Sequence, residues 1–173
     1  MDDRSYRPRD LKVDVVERNI DKMYRTALAI MGNKADAEDV VQDVFVTLFN
    51  KEPDFESSDH ETAWLIRVTV NICKNRLNSY WWKKSVPLLE SYPAPTEEHQ
   101  SVMNEVISLP VKYRIVIHLY YYEGYSTKEI AEMTRQREST VRAQMTRARS
   151  MLKKSINNES KEKNNGQVLR IHE

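Results

Sequence analysis

Glycine, proline and cysteine are all scarce in this chain, which has 3, 6 and 1 of them among its 173 residues. Its aliphatic residues recur at helical spacings, so the sequence predicts an all-α fold. The glycines stand far apart, which excludes a glycine-rich phosphate loop. The single Cys73 excludes an internal disulfide and a multi-cysteine metal site, and we expect it to be a buried structural thiol. The four histidines lack metal-ligand spacing. We therefore expect no catalytic residue, no metal and no cofactor, and the chain is not predicted to be an enzyme.

Long apolar runs are also missing from the sequence. No stretch approaches the roughly 20 apolar residues that span a bilayer. The first residues, MDDRSYRPRDLK, have no apolar core of the kind found in a signal peptide. The sequence therefore predicts a cytoplasmic protein with no direct insertion into a membrane.

The small net charge of +1 conceals a strong division along the chain. Residues 1–62 have a net charge of −6, whereas residues 63–97 have +3 and residues 126–157 have +5. Two basic segments on an acidic frame predict two contacts with a polyanion and one with a basic partner.

The positions of proline and glycine divide the chain into helical segments. Three helices are expected before residue 83, with a break at Gly32-Asn33. Three prolines between residues 83 and 98 rule out a continuous helix there. The sequence therefore predicts two small helical domains joined by a flexible linker, with residues 10–82 and 99–157 as the domains, 83–98 as the linker and 158–173 as a disordered tail.

The segment 123–152 has the pattern of a helix-turn-helix. Ser126 and Glu129 form a capping box at the start of its first helix. The second helix has an apolar stripe, Val141, Met145, Ala148 and Leu152, and an opposite side of small and basic residues. A helix that enters a DNA major groove needs such a side, because cations meet phosphates and small side chains allow close approach. The alternative is a solvated, charged surface helix.

The second predicted helix, residues 35–50, has an apolar stripe (Ala37, Val41, Val44 and Leu48, widened by Val40 and Phe45) opposite an acidic face. Val46 and Phe49 interrupt the acidic face, as expected for a surface that docks on a basic protein. An ordinary solvated acidic face is the alternative.

The third predicted helix, about residues 61–82, has an amide and cationic stripe. Arg67, Asn71, Lys74 and Asn78 recur on one side, with Asn75 at the margin. Such side chains without carboxylates suit contacts with phosphates and bases. Trp81 and Trp82 at its end could stack on unpaired bases or pack on a neighbouring helix.

These segments together resemble the extracytoplasmic-function (ECF) RNA polymerase sigma factors of the sigma-70 family, which direct promoter-specific transcription initiation, often in stress responses. DAEDVVQDVFVTLF is similar to the family's polymerase-binding helix, and AWLIRVTVNICKNRL to its helix for promoter melting and −10 recognition. LPVKYRIVIHLYYYEGYSTKEIAEM and TVRAQMTRARSMLKK are similar to its −35 recognition domain. The resemblance covers about residues 14 to 155, and the three motifs stand in the family's order.

The resemblance implies a region 2 domain, a region 4 domain and a set of contacts for each. Core RNA polymerase would be bound through its β′ clamp helices by Asp36, Asp39, Gln42, Asp43 and Val46. The −10 element would be bound by Arg67, Asn71, Lys74, Asn75 and Asn78, with the 53–61 loop holding a flipped base. The −35 element would be bound by Ser139, Thr140, Arg142, Ala143 and Arg147, while the same domain rests on the β flap. The family also implies an anti-sigma factor as partner, commonly one anchored in the membrane.

The chain departs from the family pattern at the helix-turn-helix. Arg135, Gln136 and Arg137 stand where the family usually has Gly, an aliphatic residue and Ser, and Ser139 and Gln144 replace the usual Gly and Arg. Loss of the turn glycine costs up to about 1 kcal/mol if φ is positive there. The extra arginines can compensate by contacting DNA phosphates.

A plain helix-turn-helix regulator is the main alternative class. It would explain residues 99–155 but neither the acidic helix nor the Asn/Lys stripe, and it would bind its operator without polymerase.

Overall fold

The computed structural model describes the backbone of residues 8–79 and 104–169 and the side chains of residues 13–79 and 104–157. All regular secondary structure in these ranges is α-helical, which confirms the predicted all-α class. The chain forms two compact units, Met1–Glu90 and Ser91–Glu173. The predicted linker, Trp81 and Trp82 lie outside the described residues.

The first unit is a bundle of three helices, α1 (Pro8–Met31), α2 (Lys34–Lys51) and α3 (Ser58–Asn78). The predicted break after α1 is confirmed. Gly32 adopts φ 81°, a left-handed value that glycine reaches without strain, and its N–H donates to the Leu28 carbonyl oxygen at 2.9 Å. Asn33 then caps α2, since its side chain accepts a hydrogen bond from the Asp36 N–H.

The core of this unit lies where the three helices meet. The predicted stripe of α2 is buried, with Phe45 half-buried at its edge. From α3, Leu65, Ile66, Val70 and Cys73 are buried against it. Cys73 is thus the buried thiol that the sequence predicts.

A buried polar network links α1 to the start of α3. Asn19 donates from Nδ2 to Glu61 Oε1 at 2.6 Å, and Arg18 donates from Nη2 to Glu61 Oε2 at 3.0 Å. Thr62 donates to Asn19 Oδ1 at 2.7 Å. Because a buried carboxylate needs such partners, this network fixes the register of α3 on α1.

Helix α3 starts earlier than the sequence predicts, at Ser58 rather than near residue 61. The reason is a serine cap: the Ser57 side chain accepts a hydrogen bond from the His60 N–H at 3.1 Å. The preceding loop is therefore short, running from residue 52 to 57.

The second unit contains a helical segment at 104–108 followed by α4 (Val111–Tyr121), α5 (Thr127–Thr134) and α6 (Glu138–Leu169). The capping box is confirmed, with Ser126 and Glu129 bonding to each other's backbone N–H. The predicted apolar stripe of α6 is buried at Val141, Met145 and Ala148 and half-buried at Leu152. His118 is buried in α4, with Nε2 3.3 Å from Glu123 Oε1.

Helix α6 extends well beyond the expected end of the ordered chain. Its backbone is helical to Leu169, whereas the sequence predicts a disordered tail from residue 158. No proline interrupts this stretch, and Lys and Glu are good helix formers. The helix therefore continues beyond its apolar stripe, which ends at Leu152.

Candidate nucleic-acid and protein-docking surfaces

A left-handed arginine forms the turn between α5 and α6. Arg135 adopts φ 55° and ψ 48°, and its N–H donates to the Glu132 carbonyl oxygen at 3.3 Å. The Gln136 N–H donates to the Ala131 carbonyl oxygen at 2.9 Å, which completes the end of α5. A non-glycine residue in this conformation costs roughly 1–2 kcal/mol. Because φ is positive at Arg135, the absence of the family's usual glycine is costly at this position.

The five predicted −35 residues lie together on the exposed side of α6. Every one of Ser139, Thr140, Arg142, Ala143 and Arg147 is exposed, and so are Thr146, Ser150 and Lys154. The opposite side of α6 packs on α4 and α5. The second helix of the motif is therefore held by its apolar back and leaves a front of small and basic side chains exposed.

Glu138 joins the two helices of the motif at their starts. Its Oε1 accepts hydrogen bonds from Thr127 Oγ1 at 2.8 Å and from Arg142 Nη2 at 2.7 Å. These bonds, first that from Thr127 and then that from Arg142, lower the pKa of the Glu138 carboxyl. The predicted base reader Arg142 is thus held by a carboxylate that the sequence analysis did not single out. The (i, i+4) spacing of Glu138 and Arg142 is the signal that could have revealed it.

Arg149 is held on the exposed tyrosines at the end of α4. Its Nε donates to the Tyr121 hydroxyl at 2.9 Å, and its guanidinium carbon lies 5.8 Å and 5.7 Å from the ring centres of Tyr120 and Tyr121. Such contacts restrict a flexible arginine. Arg142 and Arg149, two turns apart on α6, are therefore both held by neighbouring side chains.

The amide and cationic stripe of α3 also forms one surface. Arg67, Asn75 and Asn78 are exposed, while Asn71 and Lys74 are half-buried. The buried residues of α3 face the other way, toward α1 and α2. The structure thus brings all five predicted −10 residues onto one side of a helix whose other side is fixed in the core.

The loop before α3 carries an aromatic group. The Phe55 ring meets the rings of His60 and Trp64 edge-on, with centroid distances of 5.8 Å in both cases. The predicted flipped-base loop, 53–61, is only partly a loop, because residues 58–61 belong to α3. Glu61 is buried and bonded to α1, whereas residues 56–60 are exposed and Phe55 is half-buried.

The predicted docking residues of α2 fall into two groups. Asp39, Gln42 and Val46 are exposed, and the exposed fraction of Val46 reaches 58%. Asp36 is half-buried and shares a reciprocal hydrogen-bonded pair with Asn33 at the start of the helix. Asp36 therefore stabilises the helix start, while Asp43 is half-buried as well.

Arg76 of α3 pairs with two of these docking acids. Its Nε and Nη2 lie 3.1 Å and 2.5 Å from Asp43 Oδ2, and its Nη1 lies 3.5 Å from Asp39 Oδ2. Burial alone would lower the pKa of the Arg76 guanidinium, but the hydrogen bonds and charges of Asp43 and Asp39 raise it above its usual value. No local pattern predicts this contact, because the partners are 33 and 37 residues apart.

Two further observations concern the described part of the chain. No group of three or more His, Cys, Asp or Glu side chains there could hold a metal ion. No helix there is both long and apolar enough to cross a membrane.

The sequence matches two family profiles, one for each unit. The family described as Sigma-70 region 2 matches residues 15–83, and that described as Sigma-70, region 4 matches residues 99–152. Among relatives, the ECF RNA polymerase sigma factor SigW of Bacillus subtilis is 26% identical over 167 residues, covering 85% of this chain and 89% of its own. The ECF RNA polymerase sigma factor SigM of Mycobacterium tuberculosis is 29% identical over 136 residues, which cover 76% of this chain and 69% of SigM.

Solved structures share the fold at low sequence identity. The sigma factor RpoE of Bartonella quintana, solved with the anti-sigma factor NepR, gives a TM-score of 0.68 at 20% identity and covers 86% of this chain and 98% of its own. CnrH, solved with the cytosolic domain of CnrY, gives a TM-score of 0.62 at 24% identity. The match covers 89% of this chain and 92% of CnrH.

Proposed function

The chain belongs to the ECF RNA polymerase sigma factors of the sigma-70 family, and from that premise we propose how its surfaces divide the work of promoter recognition. We assign residues 10–82 to core polymerase binding, −10 recognition and melting, residues 99–157 to −35 recognition, and residues 83–98 to the linker. The observation that carries the proposal is that the first unit presents two polar faces on neighbouring helices. One is acidic, on α2, and the other is the amide and cationic stripe of α3.

The acidic face suits a basic protein surface. Asp39 and Asp43 offer carboxylates, while the exposed Val46 offers apolar area beside them. We propose that these residues, with Gln42 and Asp36, bind the β′ clamp helices of core polymerase. The Asp36 carboxylate also pairs with Asn33 at the start of the helix.

The stripe of α3 suits promoter DNA at the −10 element. Asn71 and Asn75 can both donate and accept hydrogen bonds, so they can meet base edges that become available when the duplex unpairs. Arg67, Lys74 and Asn78 can hold the sugar-phosphate backbone beside them. The Phe55 ring, which meets the Trp64 ring of α3 edge-on, can take part in holding an unstacked base.

The exposed side of α6 suits the −35 element in the major groove. Arg147 and Arg142 are long enough for base or phosphate contacts, and Ser139, Thr140 and Ala143 allow the helix to approach closely. Arg142 is presented by Glu138, which also ties α6 to the start of α5. We propose that the same unit rests on the β flap of polymerase.

The partners and the compartment follow from this assignment. Core polymerase supplies the chemistry of transcription, so the proposal gives this chain no catalytic group, metal or cofactor. The protein acts in the cytoplasm, where polymerase and promoter DNA are found. Since RpoE and CnrH were both solved in complexes, we further propose an anti-sigma factor as partner.

A gel shift on duplex promoter DNA, with and without core polymerase, tests the proposal against a plain helix-turn-helix regulator. The sigma factor should form a promoter-specific complex only when core polymerase is present. Tight, specific binding by the chain alone, unchanged by core polymerase, would contradict the proposal and favour the regulator.

A further inference from the structure

Arg76 extends from α3 onto the acidic face of α2. Its Nε and Nη2 both donate to Asp43 Oδ2, and its Nη2 also lies 3.4 Å from the Asp39 backbone carbonyl oxygen. Asp39 and Asp43 are one helical turn apart, so one guanidinium serves both. Three charges thus form a compact group with a net charge of −1 on the proposed docking face.

The carboxylates in this group are still open to a partner. The side chains of Asp39 and Asp43 are 60% and 48% exposed, and that of Arg76 is 31% exposed. Both contacts to Asp43 use Oδ2, which leaves Oδ1 for another donor. A basic partner can therefore reach the acids, but it must approach with Arg76 already beside them.

Arg76 lies apart from the proposed −10 surface. It follows Asn71 by five residues, which places it roughly 140° around α3, at about 100° per residue. A change at Arg76 should therefore affect docking on α2 without altering the residues that contact DNA.

This inference rests on the proposed docking role of α2: we propose that Arg76 is an internal counter-ion that competes with the basic surface of core polymerase and so limits its affinity. Two effects oppose each other. Arg76 orders the two aspartates in advance, but exposed ion pairs of this kind give little ordering. Against this, Arg76 places a positive charge within a few ångströms of where the partner's cations must sit, and such like-charge juxtaposition is costly. The second effect is the larger, so removal of the charge strengthens docking.

The test compares binding of the full chain and its variants to purified core RNA polymerase, without DNA, by fluorescence anisotropy. Arg76→Gln should bind several-fold more tightly at low salt, and the gain should shrink as salt screens the charges. Arg76→Lys keeps the positive charge beside the two aspartates and should stay within about twofold of the wild type. Arg25→Gln is the matched control, since Arg25 is an exposed cation on α1, and it should leave affinity unchanged.

Other outcomes would overturn the inference. Weaker binding by Arg76→Gln, with Arg76→Lys intermediate, would make Arg76 a positioning residue for the aspartates, and unchanged binding would give it no role. A second experiment distinguishes failure of this inference from failure of the proposed docking role of α2. If α2 does not bind core polymerase, reversal of Asp39 and Asp43 to Lys will leave the affinity for core polymerase unchanged. Circular dichroism confirms each fold, and Arg76→Met, which keeps a long chain without charge, repeats the test if the glutamine variant loses helicity.

Discussion

Arg76 Nη2 and Asp43 Oδ2 lie 2.5 Å apart, in an ion pair that joins α3 to α2 across the proposed docking face. The pair makes the acidic face of α2 more than a solvated helix surface. Its aspartates are already engaged, and any basic partner must share or displace Arg76. This relationship changes how mutations of the face should be designed and interpreted.

Reversal of Asp39 and Asp43 to Lys should weaken binding to core polymerase at least about tenfold, because like charges would then face a basic surface. The free energy of unfolding should fall by no more than about 1 kcal/mol, since the lost ion pairs with Arg76 are partly exposed. Glu17→Lys with Asp21→Lys is the matched control, because both residues are exposed on α1 at the same spacing. Affinity equal to that of the control pair would contradict the docking role of α2.

Local patterns in the sequence predicted most of the fold. The buried stripe of α2, the break at Gly32-Asn33 and the capping box at Ser126 each depend on residues within about three turns of one another. The Arg76–Asp43 pair and the burial of Glu61 against Asn19 depend on helices that meet only in the folded unit. A single sequence contains no local signal for such contacts.

The site residues divide in the same way. Their grouping on α2, α3 and α6 follows from spacing along a helix, so the sequence could predict it. The (i, i+4) pair of Glu138 and Arg142 could also be predicted. Pairings with other helices could not, such as Arg76 with Asp43 and Thr127 with Glu138. The extra length of α6 was missed because composition suggests disorder even where no residue stops a helix.

Arg135→Gly should raise the free energy of unfolding of the helix-turn-helix unit by up to about 1 kcal/mol, because glycine tolerates the left-handed φ of 55°. Arg135→Ala keeps the backbone strain and should give no such gain. Both variants should bind promoter DNA less tightly in holoenzyme if Arg135 contacts a phosphate. Thermal unfolding and salt-dependent gel shifts measure the two effects separately. Equal stability of the glycine and alanine variants would show that the turn is not strained.

The capping box at the start of α5 should make its stability depend on acid pH. Hydrogen bonds from the Ser126 hydroxyl and then its backbone N–H lower the pKa of Glu129 below its usual value of 4.5. A lowered folded pKa contributes stability that is present above about pH 4.5 and is lost as the pH falls through the folded value.

Ser126→Ala should therefore cost about 1 kcal/mol at neutral pH. In this variant, the α5 amides should also lose less of their protection from hydrogen exchange when the pH is lowered. Hydrogen exchange, corrected for intrinsic rates, measures both, and Glu132→Gln on the same helix is the control, because Glu132 lies outside the box. If Ser126→Ala left the pH dependence of α5 unchanged, the box would not be its source.

Arg147→Ala should reduce promoter-specific transcription, with a loss of about 1–3 kcal/mol in binding if the arginine makes a bidentate contact with a base. Lys154 lies on the same side of α6, two turns after Arg147. Lys154→Ala should weaken binding to all DNA sequences almost equally and should lower the salt dependence of that binding. Competition between cognate and scrambled −35 elements distinguishes a base contact by Arg147 from a phosphate contact by Lys154. Equal effects of Arg147→Ala on both elements would reduce Arg147 to a phosphate contact.

Replacement of Asn71 and Asn75 by Ala should impair strand opening rather than recruitment. The two side chains lie on the outer side of α3, half-buried and exposed respectively, so their loss should leave the core of the unit intact. Arg67 and Lys74 remain to hold phosphates, and the holoenzyme should still bind duplex promoter. Open-complex formation should fall sharply, because the amides are needed only when bases leave the stack.

A promoter with a pre-melted −10 bubble should recover part of this loss, since the unstacking free energy of a few kcal/mol is then already supplied. Permanganate footprinting of unpaired thymines on duplex and bubble templates measures the difference directly. Ser79→Ala, an exposed change just beyond the end of α3, serves as the control and should open duplex DNA normally. If the double mutant opens duplex promoter as well as this control does, the asparagines form only a solvated helix face, and the melting step must be assigned to other residues of the first unit.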